Sequence, residues 1–349
     1  MRIITKFAYA AVAAACAVGI AGCGSDAKKE YAGPKVAEGA TIALAGREMT
    51  ATTLKPICEK YGFGENDLSN LPKEVKELLT DLGLDKIKAK WAAVTFGDIT
   101  AAVQGKGIPD FAVAIPTTLD LDKTMAAAEK KCKEKKEEDI SFKKTTIAGV
   151  SAYEIASKKD KLAPCVASLD GQLVLCAASA AGLEKQIALY RDGKGASKDF
   201  GAFTLGANDI LRVKVVKVGE NVKKNLPDPE MLKAVNQMIP DCDKMVLGLG
   251  TVDLALAASG DGKDIKLDMS VETAADADAD KFATLAKTSL MTFTAQMKEA
   301  AGKDADAKTA YDVLQGTKVE AKGKVVALSA SIAADPALKA LADKAKEIK

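Results

Sequence analysis

Along this chain, stretches in which apolar and polar residues alternate with a period of two take turns with stretches of helical spacing. In the first half, Thr41 to Ala45, Trp91 to Thr100 and Asp110 to Pro116 read as strands, the last setting Phe111, Val113 and Ile115 against small residues. A four-strand meander is predicted over Ser141 to Ile147, Val150 to Ala156, Pro164 to Leu169 and Gln172 to Ala178, with Asp170-Gly171 as a two-residue hairpin turn. Helical spacing marks a brief turn between Pro56 and Gly62, and then Val75, Leu78, Leu79 and Leu82 behind Pro72. It returns in Leu121, Met125, Ala128 and Cys132, capped by Asp120 or Asp122, which points Cys132 inward. A helix from Ala180 to about Tyr190, using Leu183 and Ile187, closes this half.

The order then recurs. Asp209 to Val218 is a strand, Asp228-Pro229 opens a helix carrying Leu232, Val235 and Ile239, and Lys244 to Ala258 with Lys263 to Glu272 form a hairpin around Gly260-Asp261-Gly262. Thr273 and Asp276 have capping-box spacing ahead of a long helix striped with Phe282, Leu285, Leu290, Phe293 and Met297. Thr317 to Ala321 and Lys324 to Ile332 pair through Lys322-Gly323. Asp335-Pro336 caps a last helix with Leu338, Leu341, Ala345 and Ile348. Asp170-Gly171-Gln-Leu-Val-Leu-Cys-Ala-Ala-Ser also aligns with Lys322-Gly323-Lys-Val-Val-Ala-Leu-Ser-Ala-Ser. The expectation is an α+β fold of two similar domains, 40–200 and 201–349, each an antiparallel sheet packed with amphipathic helices; the second lacks the strands at Ser141 to Ala156. This order distantly resembles uncharacterised bacterial envelope proteins with tandem sheet-and-helix domains, a likeness that implies no activity.

The N-terminus supplies an address. Arg2 and Lys6 precede an uncharged stretch, Phe7 to Ile20, too short and too weakly apolar to span a bilayer, which is the build of a signal peptide. At its end Ile20-Ala21-Gly22-Cys23 resembles the lipobox of bacterial lipoproteins. The resemblance implies that residues 1–22 are removed and that Cys23 carries the lipid, as palmitate and diacylglycerol; two or more chains anchor stably where one does not. An ordinary secretory cut at Ala15-Cys16-Ala17 is the alternative. Gly24, where lipoproteins kept in the inner membrane often carry Asp, implies the outer membrane and a periplasmic face. Residues 23–39, polar and broken by Gly and Pro, read as a flexible tether.

Composition narrows the function. Without Arg2 and Lys6, the 50 basic residues no longer outnumber the 48 acidic ones, and with 5% aromatics neither a basic surplus nor a stacking surface is present, so nucleic acid is not an expected partner. There is no histidine, which excludes Ser-His-Asp, Cys-His and His-containing zinc sites. Asp276, Asp278 and Asp280 have the spacing that opens a calcium loop, but Lys281 and Lys287 stand where Gly and Glu are required. Gly248-Leu-Gly250 lacks the third Gly and the following helix of a dinucleotide loop, Gly193-Lys194-Gly195 lacks the spacing of a phosphate loop, and Met231, Met238 and Met245 read as core filling. No catalytic residue, metal or cofactor is expected.

Five cysteines remain beyond Cys16 and Cys23. Counting outward from a two-residue Asp170-Gly171 loop sets Cys165 opposite Cys176, where they are either a cross-strand disulfide or two buried thiols. Cys58 with Cys132 or Cys242 is a further pairing to consider. The favoured reading is a lipid-anchored, non-enzymatic binding or structural protein whose partner, protein or apolar ligand, is unknown. The alternative is a carrier of a lipid or other apolar ligand, lined by Phe282, Leu285, Phe293 and Met297; an enzyme without histidine is the third class.

Overall fold

The structure, a computed structural model, describes residues 31–63, 80, 89–99, 109–134, 139–157, 163–225, 246–302 and 305–347. Among them the alternating stretches become twelve strands: β1 (Ile42–Gly46), β2 (Ala92–Phe96), β3 (Phe111–Pro116), β4 (Ile140–Ile147), β5 (Val150–Ser157), β6 (Cys165–Leu169), β7 (Leu173–Ala177), β8 (Asp209–Val215), β9 (Leu249–Ala258), β10 (Asp264–Thr273), β11 (Lys318–Lys322) and β12 (Val325–Ala333). The described helices are α1 (Lys55–Lys60), α2 (Leu121–Glu134), α3 (Ala180–Asp192), α4 (Val218–Asn225), α5 (Asp276–Ala301), α6 (Ala305–Gly316) and α7 (Ala334–Glu347). The fold is α+β, as the periodicities predict. The predicted helices behind Pro72 and Pro229 lie outside the described residues, as do Cys23, Cys242 and the three methionines 231, 238 and 245. Helices α4 and α6 were not anticipated; Tyr311 and Leu314, three apart, were the signal for α6.

All twelve strands join one antiparallel sheet, ordered β11-β12-β10-β9-β8-β1-β2-β3-β7-β6-β5-β4. The two halves meet where β1 pairs with β8, Leu44 opposite Val213. Outward from that seam the orders β1-β2-β3-β7-β6 and β8-β9-β10-β12-β11 are the same, and the β4–β5 hairpin is what the first half adds. The seam makes the sheets of the predicted halves continuous rather than separate.

Register decides the faces, because side chains of paired residues project to the same side. One row crosses ten strands as Val166, Cys176, Val113, Val94, Leu44, Val213, Leu254, Met269, Leu328 and Val319, apolar throughout. On the other side the row Ala152, Ala167, Leu175, Ala114, Ala93 and Ala45 continues into Arg212, Ala255, Asp268, Ser329 and Lys318. That second face is therefore apolar and alanine-rich only as far as the seam. Helix α3 covers this half through Leu183, Ile187 and Tyr190, with Phe200 and Phe203 in the same core. The polar remainder carries exposed Lys266, Asp268 and Lys318.

The apolar face is covered in parts. Helix α2 lays Leu121 and Met125 on Ile155, with Val166 packed alongside. Helix α5 places Ala279 and Ala283 on Val319 and Val326, and α1 and α7 bring Leu54, Cys58 and Leu338 onto Ile210 and Ala258. Caps follow the sequence in part. Asp120 accepts from the Lys123 amide (3.1 Å) at α2, and Ser179 accepts from the Gly182 amide (3.2 Å) at α3, which ends on Gly193 at φ 70°. The capping box at α5 does not form. Its N-cap is Ala275, with no side-chain cap, because Thr273 Oγ1 instead donates to the carbonyls of Ala275 and Lys324 (both 2.9 Å), tying the β10 end to the β11–β12 turn.

Candidate functional site

Two features remain after the core is accounted for. The first is the middle of the apolar face. Leu44, Val213, Leu254, Leu267 and Met269 sit between the areas claimed by α2, α5 and the α1–α7 pair, and all five are only half-buried; Leu256, beside them, packs against the α1–α7 core. Alternation places them there: in β9 Leu254 and Leu256 flank Ala255, and in β10 Leu267 and Met269 flank Asp268. Such a floor can take apolar ligand surface.

The lining predicted on α5 is different. Phe282 and Leu290 pack against the core that Ala279 and Ala283 form with the sheet. Leu285 and Met297 are half-buried, while Phe293 is 58% exposed and Met291 73%. Phe293 therefore faces solvent, since Ala279 and Ala283, the small residues of the stripe, are the ones that let the helix approach the strands. Leu341 of α7 is likewise 49% exposed. The threonines along α5 look inward for partners: Thr284, Thr288, Thr292 and Thr294 each donate to a carbonyl four residues back.

The second feature is the segment read as the end of a tether. Residues 31–39 are bound to the body, which corrects that reading. Tyr31, Val36 and Ala37 are buried. Tyr31 OH donates to Asp170 Oδ2 (3.0 Å), Trp91 Nε1 donates to the Tyr31 carbonyl (3.1 Å), and the Lys35 amide donates to Tyr190 OH (2.9 Å). Glu38 N donates to the Gly195 carbonyl and Ser197 N to that of Val36, so the segment runs as a strap beside residues 195–197. The Trp91 and Tyr190 rings stack at 6.3 Å, and Tyr31 meets Tyr190 edge-on at the same spacing. Burial, ahead of the Asp170 hydrogen bond, pushes the Tyr31 hydroxyl well above the usual tyrosine range, so it stays a donor. A polar, Gly- and Pro-broken composition hid Tyr31 and Val36, whose partners lie 60 or more residues away.

Cys165 and Cys176 are not bonded. Gln172 N donates to the Leu169 carbonyl across Asp170 (φ 53°) and Gly171 (φ 68°), the predicted tight turn, but Gln172 then enters as an extra residue and the ladder begins at Leu169 opposite Leu173. Cys165 thus faces Ala177, and Cys176 faces Val166. One residue of slip moves the two sulfurs to opposite sides of the sheet. Cys165 lies in the core under α3, Cys176 in the core of the apolar face. Desolvation raises both thiols, Cys165 to about 11 and Cys176 to about 12. Alkylation of the unfolded, unreduced protein is expected to modify both; a Cys165–Cys176 peptide pair in its non-reduced digest would contradict the register.

Several other polar groups tie elements of the fold together or lie buried in it. Asp122 accepts from Lys144 (2.7 Å) and Tyr153 (2.7 Å) at the surface, tying α2 to β4 and β5, and the Lys144 hydrogen bond chiefly lowers its pKa. Arg212 forms a two-pronged pair with Asp253 (3.1 and 2.8 Å), its guanidinium 5.8 Å above the Phe203 ring, where the alanine-rich cover of the second face stops. Cys58 is raised to about 11, by burial first and then by the Glu48 carboxylate. Its thiol is therefore protonated at neutral pH and is no nucleophile. Asp276 and Asp278 occupy the first turn of α5, and no group of three metal-ligating side chains occurs among the described residues. No described helix is long and apolar enough to cross a membrane.

No family model and no curated protein matches the chain. A solved structure described as crystal form I of TP0453 aligns with 90% of this chain and 99% of its own, at 10% identity and a TM-score of 0.36.

Proposed function

We propose that this chain is a bacterial envelope lipoprotein, held through a lipid on Cys23 at the periplasmic face of the outer membrane, whose body binds or supports another component rather than catalysing a reaction. The observation that carries it is Ile20-Ala21-Gly22-Cys23 behind a basic, then apolar, leader. The strap supports it, because it joins the chain that leads from Cys23 to the core of the body. Expression with and without Cys23→Ser in a bacterium with an outer membrane tests the reading. The parent is expected in the outer-membrane fraction with an acylated N-terminal peptide, and the variant in the aqueous phase of a detergent partition. Equal partition of the two sinks it.

The half-buried row on the apolar face favours a second reading, a carrier of a lipid or other apolar ligand. Its floor would be Leu44, Val213, Leu254 and Met269 in place of Phe293. Native mass spectrometry of residues 24–349, purified without detergent, is then expected to show a reproducible excess mass that extracts as lipid. A bare-chain mass removes this reading and leaves the first.

A further inference from the structure

We infer that the tether holds the body directly against the bilayer, with the corner around Tyr31 as the membrane-facing surface; this rests on lipid attachment at Cys23. Because the strap is bonded in place from Tyr31 onward, only residues 24–30 separate the lipidated residue from the body. Eight Cα steps reach at most roughly 29 Å. A tether running to Thr41 would have allowed more than twice that reach.

The place where the chain enters fixes which surface this is. Tyr31 binds Asp170 in the β6–β7 turn, and its carbonyl takes the Trp91 indole at the start of β2. Tyr190, against which its ring packs, lies in the last turn of α3, and Arg191 Nη1 donates to the carbonyl of Ala148 in the β4–β5 turn (2.9 Å). Two hairpin turns, the end of α3 and the loop Gly193–Gly195 thus form one corner. Lys35, Arg191 and Lys194 are exposed there beside Glu38, Asp170 and Asp192, so charge balances. The occupant is accordingly a phospholipid headgroup surface of no particular charge, reached because the tether is short, and the contact is insensitive to salt.

Trp91, the chain's one tryptophan, sits at the strap and is a built-in donor for measuring this. The lipidated protein is incorporated into phosphatidylcholine vesicles containing dansyl-labelled phosphatidylethanolamine, and energy transfer from Trp91 is recorded. Strong transfer, unchanged between low and high salt, is expected. Inserting 30 Gly/Ser residues between residues 27 and 28 adds a flexible coil that itself spans roughly 30 Å, and transfer is expected to fall at least about twofold. Tyr31→Ala, which frees the strap at its first contact, is expected to lower it as well while far-ultraviolet circular dichroism is retained. Flotation with the vesicles and the acylated Cys23 peptide report anchoring separately. Equal transfer from parent and linker variant, both floating, overturns the inference and leaves the lipoprotein reading standing; a parent that neither floats nor carries lipid overturns both.

Discussion

Trp91→Ala is expected to destabilise the protein by about 3–5 kcal/mol, the range for removing a large aromatic side chain from a packed core. The indole is 3% exposed, lies in the same core as Tyr31, Leu183 and Tyr190, and stacks on the Tyr190 ring. Its Nε1–H is the donor for the Tyr31 carbonyl, so truncation leaves a cavity and removes that hydrogen bond as well. With typical domain stabilities of ~5–15 kcal/mol, that is a large share of the total. Trp91→Phe retains most of the volume but not the donor, and a smaller loss of about 1–3 kcal/mol is expected. Urea midpoints rank the three proteins, and proteolysis within residues 31–39 should accelerate in the same order. An unchanged midpoint for the alanine variant would show that the strap and the indole contribute nothing to the core.

Gly262→Val is expected to cost about 3 kcal/mol or more, for two reasons that add. Gly262 lies at φ 70°, a region that costs a β-branched residue about 1–2 kcal/mol. A Cβ there would also run into the Thr53 carbonyl, a backbone group that cannot swing aside. The contact is part of a join between the halves. Thr53 Oγ1 donates to the Ser259 carbonyl (2.6 Å), so the β9–β10 turn is seated on the segment leading into α1. Gly260→Ala, two residues away, meets nothing within 4 Å and needs no positive φ, so its effect should stay within about 0.5 kcal/mol. Thermal unfolding of the two variants separates them; equal midpoints would mean that the turn is not held against Thr53.

The candidate site was only partly legible in the chain. The apolar floor was readable, because Val252, Leu254 and Leu256 alternate with Asp253 and Ala255 and so declare one apolar face. That the floor would stay half-buried was not, since it depends on where α5 comes to rest. Periodicity placed Phe282, Leu285, Phe293 and Met297 on one stripe but could not say how far along that stripe the sheet extends. The strap was illegible, because its partners Trp91, Asp170 and Tyr190 follow it by 60 to 159 residues and nothing in GSDAKKEYAGPKV signals them.

By itself the sequence determined most of the described elements, though not α4 and α6, and excluded histidine chemistry. Strand and helix periods, the turns at Asp170-Gly171 and Lys322-Gly323, the cap at Asp120 and the lack of histidine are local properties, written in neighbouring residues. The tertiary structure decided how those elements meet: β1 beside β8, which fuses the halves into one sheet, and Tyr31 against Asp170, which shortens the tether. It also decided the face of Cys176, which one extra residue, Gln172, inverted. Pairings across long separations are chosen by the total area buried once the chain has closed on itself, and a period of two leaves no tolerance for a one-residue error.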